Sequence, residues 1–313
     1  MKKSNSMMAA ILAVIALVFT GCGQSGKINE TPTSGNIKIS VDESYSLIMD
    51  TQISTFEAIY NYAIINAAYK NEVDCFIDLL NDSARVIVVN RNLTAAEEQK
   101  LNSQQIIPKT TKVAYDALAI IINKENKDTI YTYEQIQDIF KGKISKWTEI
   151  NPASKNGEVN VVFDNNKSGN PRYFKEKFKL NSKFPDYCYA VNSNEEVINY
   201  VEKNLGAIGI ISVNWISDTQ DTVSEKFLKQ IKIAAVSDEG NIDGPFLKPY
   251  QAYIADGSYP FVRDVNMISR EYFNGLGTGF VSFVAGEKGQ RIILKSGLVP
   301  ATMPIRLVQI KKD

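Results

Sequence analysis

The chemistry open to this chain is bounded first by a residue it lacks: among 313 residues there is no histidine. Ser-His-Asp and Cys-His catalysis, HExxH zinc sites and every His-ligated metal or haem are therefore excluded. The most informative stretch is Val161-Val-Phe-Asp-Asn-Asn-Lys-Ser-Gly-Asn170, in which an apolar strand runs into a polar loop and then a helix candidate, Arg172–Phe178. The Ser168 hydroxyl and the free N–H groups of a helix start can converge on an oxyanion, helped by the helix dipole. Asn165, Asn166 and Gly169 also suit a plain turn, and the segment alone leaves both readings open. Gly275-Leu-Gly-Thr-Gly-Phe280 imitates a dinucleotide loop, but GxGxxG from Gly275 meets Phe280, and from Gly277 it meets Ser282. It reads as a loop feeding a helix that begins near Phe280. The adjacent acids Asp42/Glu43 and Glu97/Glu98 have no visible partner chemistry and read as solvated surface. Cys75 and Cys188 lack CxxC or zinc spacing and read as partly buried thiols. No metal, no cofactor and no enzymatic activity is indicated.

The elements that must position these residues follow from short β-branched runs alternating with amphipathic segments, which predicts α/β layering. Strands are expected at Ile37–Val41, Arg85–Val89, Ala117–Ile122, Val159–Phe163, Ala207–Ile211, Ile231–Val236 and Ala252–Ile254. Helices are expected after Thr94 with Glu97, Thr132 with Gln135 and Ser193 with Glu196, each at capping-box spacing. Cys75 falls in a further helix candidate. Equal numbers of basic and acidic residues, 35 of each, argue against broad nucleic-acid binding.

The amino terminus reads as an export signal. Lys2 and Lys3 precede an uncharged apolar run, Met7–Phe19, shorter than the ~20 residues of a spanning helix. Thr20, Gly21 and Cys22 follow, the junction of a bacterial lipoprotein in which Cys22 is lipidated. Residues 1–21 are then the signal peptide and 22–35 a flexible, Gly- and Ser-rich tether. An ordinary signal peptide with a chance cysteine is the alternative.

Seven stretches, in order along the mature chain, carry a resemblance: Val41-Asp-Glu-Ser-Tyr45, Ala84–Thr94, Tyr115–Asn123, Ile139–Trp147, Ser168-Gly-Asn170, Gly206-Ala-Ile-Gly209 and Gly286–Gln290. Together they resemble the phosphate-binding proteins of ABC transporters, within the periplasmic-binding-protein-like superfamily. The resemblance implies a type II fold, two α/β lobes joined by a two-strand hinge with ligand in the cleft. Lobe one would comprise residues 36–123 and 237–313, and lobe two residues 124–236.

Position by position, the resemblance implies a ligand site at Ser44, Tyr45, Asn90, Asp164, Ser168, Gly169 and Asn170. Ser44 and Tyr45 match a hydroxyl residue and an aromatic whose backbone N–H touches phosphate. Ser168 and Gly169 match the start of a Ser-Gly-Thr loop, with Asn170 for threonine. Asn90 replaces the phosphate-accepting aspartate, Asp164 a common arginine, and Glu72 lies near another serine. An acid ~4 Å from an anion, at an effective dielectric of ~20, costs on the order of 4 kcal/mol, about three decades of affinity. Arg91 and Arg172 are the candidates to supply the missing guanidinium. The expectation is a lipid-anchored, monomeric receptor in the cell envelope, facing the periplasm, that delivers phosphate to a transporter permease. The alternatives are a receptor for another oxyanion, or a ligand-less structural or signalling lipoprotein of an envelope complex.

Overall fold

The computed structural model describes residues 30–304 except 182, 219–221 and 242–243. The export signal and Cys22 lie outside the described residues. From the amino end, β1 (Ser34–Asp42) enters a short 3₁₀ turn, Glu43–Tyr45, and then α1 (Ser46–Ile59). β2 (Tyr62–Lys70), α2 (Glu72–Leu80), β3 (Val86–Val89), α3 (Ala95–Ser103) and the long β4 (Lys109–Asn123) follow. Next come β5 (Ile130–Tyr131), α4 (Tyr133–Phe140), α5 (Trp147–Ile150), β6 (Asn160–Phe163), α6 (Gly169–Lys177), β7 (Cys188–Ala190), α7 (Asn194–Lys203) and β8 (Ala207–Ser212). The chain continues through α8 (Thr222–Gln230), β9 (Ile231–Ile233), β10 (Ala235–Val236) and α9 (Gln251–Ala255). It finishes with β11 (Val262–Ser269), α10 (Leu276–Ala285), α11 (Glu287–Lys295) and β12 (Val299–Pro300).

The strands form one mixed path, β2-β1-β3-β11-β4-β8-β6-β7, with β9 and β12 also paired to β4. β4 divides that path in two. Its residues Lys109–Ala117 pair antiparallel with β11, while Leu118–Asn123 pair antiparallel with β8 and β9. The parallel β1/β2/β3 group and the parallel β6/β7/β8 group lie on opposite sides of this shared strand. Ala117 to Ile122 are completely buried, as an apolar run covered on both faces should be. The partner change falls at Ala117/Leu118, earlier than the crossing expected near Asn123. There the Leu118 N–H donates to Phe261 O at 2.9 Å, and the Tyr259 hydroxyl donates to Leu118 O at 2.8 Å.

Several local expectations are met with added detail. Thr94/Glu97 and Thr132/Gln135 are full reciprocal capping boxes. Ser193 accepts from the Glu196 N–H, but the Glu196 carboxylate turns back to Asn192 instead of completing a box. Phe140, Phe163, Phe174, Phe178 and Phe261 form an aromatic cluster, part stacked and part edge-to-face, that seats α4 and α6. The Gly206-Ala-Ile-Gly209 stretch is structural: a Cβ on Gly206 would lie 2.6 Å from Glu158 O, and the Trp147 indole donates to Gly206 O at 3.1 Å.

Other expectations need correcting. Ala252–Ile254 lies in helix α9, because a short apolar run fits a buried helix turn as well as a strand. Ile231–Val236 is two strands, with β10 pairing away from β4 onto β5. β1 already pairs with β2 from Ser34, inside the 22–35 range expected to be a tether. Helix α10 starts at Leu276, ahead of Phe280. Its free N–H groups are taken internally: the buried Glu271 carboxylate accepts from Gly277 N at 2.9 Å and Thr278 N at 2.7 Å.

Candidate functional site at the carboxyl ends of β1, β3 and β6

β1, β3 and β6 are buried strands whose carboxyl ends release Asp42–Tyr45, Asn90–Arg91 and Asp164–Asn170, respectively. Ligands in open α/β sheets bind at such ends. Ser168 caps α6, its Oγ accepting from Asn170 N at 3.3 Å. Asn90 sits over the same helix start, so closely that a Cβ on Gly169 would lie 2.0 Å from Asn90 Nδ2. Only glycine permits that approach.

One side of this site is fully occupied by the protein's own groups. Glu72, on α2, is buried and receives Arg172 Nε at 2.5 Å and Arg172 Nη2 at 3.0 Å from α6. Arg172 Nη2 also donates to Asn90 Oδ1, and Nη1 reaches Glu176 at 2.7 Å. Arg91 forks onto Glu97 with two 2.8 Å bonds and lies over the Phe76 ring at 3.4 Å. The backbone adds a bond from Val73 N to Lys167 O at 3.3 Å. Below the α6 start, Asp164 Oδ1 accepts from Ser168 Oγ at 2.6 Å and Asn170 Nδ2 at 2.9 Å. The donors expected to meet an external anion thus serve an internal carboxylate.

The other side is different. Asp42 is buried, accepting from Ser44 N at 3.0 Å and from Asn90 Nδ2 at 3.4 Å. Arg263, from β11, is buried and donates Nε to Asp116 Oδ2 at 2.8 Å and Nη1 to Asn170 Oδ1 at 2.6 Å. Asp116 is held in turn by Ser212 Oγ at 3.0 and 2.9 Å. The Ser44 hydroxyl, the Tyr45 hydroxyl and Arg263 Nη2 are all buried without a hydrogen-bond partner. Buried polar groups are ordinarily bonded, so three orphans in one neighbourhood single this side out as the candidate site.

Charge is concentrated here. Burial pushes the Asp42 carboxyl up to about 7, with Glu72 and Asp164 adding to the rise and Arg263 and the Ser44 N–H opposing it. Burial likewise raises Asp164 to about 7, against its bond from Ser168, with Glu43 raising it and Arg263 lowering it. Glu43 is raised to about 7 by burial, although Asn194 at the start of α7 donates to it from both N and Nδ2.

The structure therefore brings Asn90, Arg91, Asp164, Ser168, Gly169, Asn170 and Arg172 to one end of α6, with Ser44 and Tyr45 alongside. Arg91 and Arg172 do not present open guanidinium nitrogens; both are engaged by Glu97, Glu72 and Glu176. Asp42 and Glu43 are not solvated surface, because the turn after β1 directs them inward and toward α7. Glu97 is likewise committed, to the α3 cap and Arg91, whereas Glu98 is exposed. Cys75 and Cys188 are free thiols, and burial raises both, Cys188 to about 12. Among the described residues, no cluster of acids and cysteines could hold a metal. Arg263 and Asp116 escaped sequence reasoning. The available signal was alternation in β11, where Arg263 shares the inward period of Val265.

Two sheets sharing one long strand, with buried polar groups gathered at the strand ends, define a two-lobed α/β binding protein of type II. A family model described as a PBP superfamily domain matches residues 28–288, and the chain belongs to that superfamily. It is similar to the phosphate-binding protein PstS of Staphylococcus saprophyticus, at 24% identity over 281 residues, 88% of this chain and 83% of that protein. The PstS of Staphylococcus epidermidis matches at 27% over 207 residues, 64% of this chain and 59% of the relative. Among solved structures, a substrate-binding protein from Clostridium perfringens with bound phosphate superposes with TM-score 0.72 at 22% identity, covering 85% of this chain and 100% of that one. An ABC-type phosphate transport receptor from Vibrio cholerae gives TM-score 0.64 at 23% identity, over 86% and 100%.

Proposed function

We propose that this member of the PBP superfamily, a binding protein and not an enzyme, captures an oxyanion of the phosphate type and passes it to the permease of an ABC transporter. The observation that carries this reading is the set of buried, unpartnered donors at the site, lying beside the Ser168-Gly169-Asn170 loop. The ligand would lie against Ser44, Tyr45 and that loop. Lobe two would begin where β4 changes partners at Ala117/Leu118, and the return would fall near Phe261, so that closure seals the site between lobes. The relatives' phosphate binding supports phosphate as the first ligand to test. The Cys22 junction supports a lipid anchor at the membrane.

The test is calorimetric titration of phosphate into protein that has been unfolded and refolded to strip carried-over ligand. Binding in the micromolar range or tighter is expected. Silence toward phosphate, sulfate and molybdate alike would overturn the reading.

One observation favours a second reading: Asp164 already takes the Ser168 hydroxyl and the Asn170 amide that an anion would need. A protein that closes on its own groups would act through an envelope complex instead. Capture of a membrane partner that is indifferent to phosphate and to Ser44→Ala would support that role.

A further inference from the structure

Three arginines surround the site, and they differ in what their nitrogens touch. Arg91 and Arg172 end on Glu97, Glu72, Glu176 and Asn90. Arg263 is held at two nitrogens only, by Asp116 at 2.8 Å and Asn170 at 2.6 Å, while Nη2 is buried and unpartnered. We propose that Arg263 is the residue that receives the charge of the bound anion, an inference that rests on the oxyanion reading above.

The geometry suits the role. A guanidinium is a planar fork, so fixing two of its nitrogens fixes the direction of the third. Asp116, itself clamped by Ser212, and Asn170, on the first turn of α6, supply those two anchors. The Arg263 Cζ stands 5.5 Å from the centroid of the Tyr45 ring, and the Tyr45 and Ser44 hydroxyls are likewise buried without a partner. Asn170 links the guanidinium directly to the loop that the resemblance assigns to ligand. β11 also shifts register against β4 between Val265 and Asn266, and such bulges re-aim neighbouring side chains. The charge logic agrees. Asp42 and Asp164 are two buried acids beside the start of α6. Arg263 brings a cation to the same strand ends from β11, with Asp116 bonded at its Nε.

The experiment titrates inorganic phosphate, with sulfate and molybdate in parallel, into the full refolded chain in detergent. Arg263→Lys keeps a charge opposite Asp116 but cannot present a planar fork to Asp116, Asn170 and the anion at once, and should weaken phosphate binding at least tenfold. Arg263→Gln with Asp116→Asn removes both buried charges together, which protects the fold, and should weaken binding a hundredfold or more. Arg270→Lys, an equally buried arginine bonded to Leu79 O and Gln104 away from the site, is the matched control and should bind as wild type does. Melting curves establish that each variant is folded. A folded Arg263 variant that binds phosphate within twofold of wild type overturns the assignment while leaving the receptor reading intact. Wild-type protein that is silent toward all three anions overturns both.

Discussion

On the Glu72 side of the α6 amino end, Arg172 and Arg91 spend their donors on acids and amides of the same chain; on the Asp42 side, Ser44, Tyr45 and Arg263 each keep a buried donor unspent. Both neighbourhoods are polar and drawn from the same strand ends, yet only one is chemically complete. The completed side fastens α2 to α6, elements that belong to different sheets. The incomplete side is stable only if something outside the chain meets its donors, or if the fold tolerates the loss. Polar residues at these strand ends thus divide into those that bond one another and those that keep a donor unspent.

The largest expected effect breaks the completed side. Arg172→Ala leaves Glu72 buried with only a distant Arg91 at 3.8 Å, and removal of one partner from a buried pair costs about 3–5 kcal/mol. Urea unfolding should show that loss; a stability change under 1 kcal/mol would show that the pair is not buried in solution. Next, two serines separate the sides. Ser44→Ala should leave stability nearly unchanged, since its hydroxyl has no partner, and weaken phosphate binding by about 1.5–3 kcal/mol, the range for a bond to a charged group. Ser168→Ala strips a donor from buried Asp164 and should cost about 1–3 kcal/mol of stability. The opposite pattern, in which Ser168 governs affinity and Ser44 governs stability, would reverse the comparison.

Titration spreads its effect over several pH units. Asp42 and Asp164 rise from the usual carboxylate range to about 7 on folding, so the native state binds protons that the unfolded chain releases. Their contribution is full below about pH 4 and is lost as pH rises through 7, at roughly 1.4 kcal/mol per pH unit for each group in that window. Melting temperature should be higher at pH 5.5 than at pH 8, and Asp42→Asn should flatten the difference. Phosphate affinity should also improve toward pH 6 as the facing acids lose charge. A wild-type protein that is most stable at pH 8 would sink the upward shift of these two carboxyls. The smallest effect is Thr94→Ala, which opens the α3 capping box beside Arg91 and should cost about 1 kcal/mol, measured by thermal melting.

Much of this architecture could be read from the chain. The apolar runs of β1, β3, β6 and β8 and the capping hydroxyls of α3 and α4 declare themselves through local sequence, and the loop at Ser168 was recognisable as a helix start. β2 and β11 were not. In β2, Asn66 and Lys70 interrupt an edge strand whose alternate residues face solvent, and in β11 the charged Arg263 and Asp264 hide a strand that is mostly buried. Loop residues could be placed together only through the resemblance, because Glu72 and Arg172 are 100 positions apart. Which carboxyls would be pushed upward, and which guanidinium would keep an unpartnered nitrogen, depend on burial and on three-body bonding. No spacing rule encodes those.

The shared strand has a mechanical consequence. At roughly 3.3 Å per residue, β4 is a rod about 50 Å long, clamped at Leu118 by Phe261 and Tyr259. Relative motion of the two sheets must therefore appear as torsion about that clamp, magnified along the rod in both directions. The Leu118 amide, at the axle, should be among the last to exchange with deuterium, while amides at the tips report each opening stroke. Hydrogen exchange along this one strand would measure the amplitude and rate of the protein's breathing without a ligand in the tube.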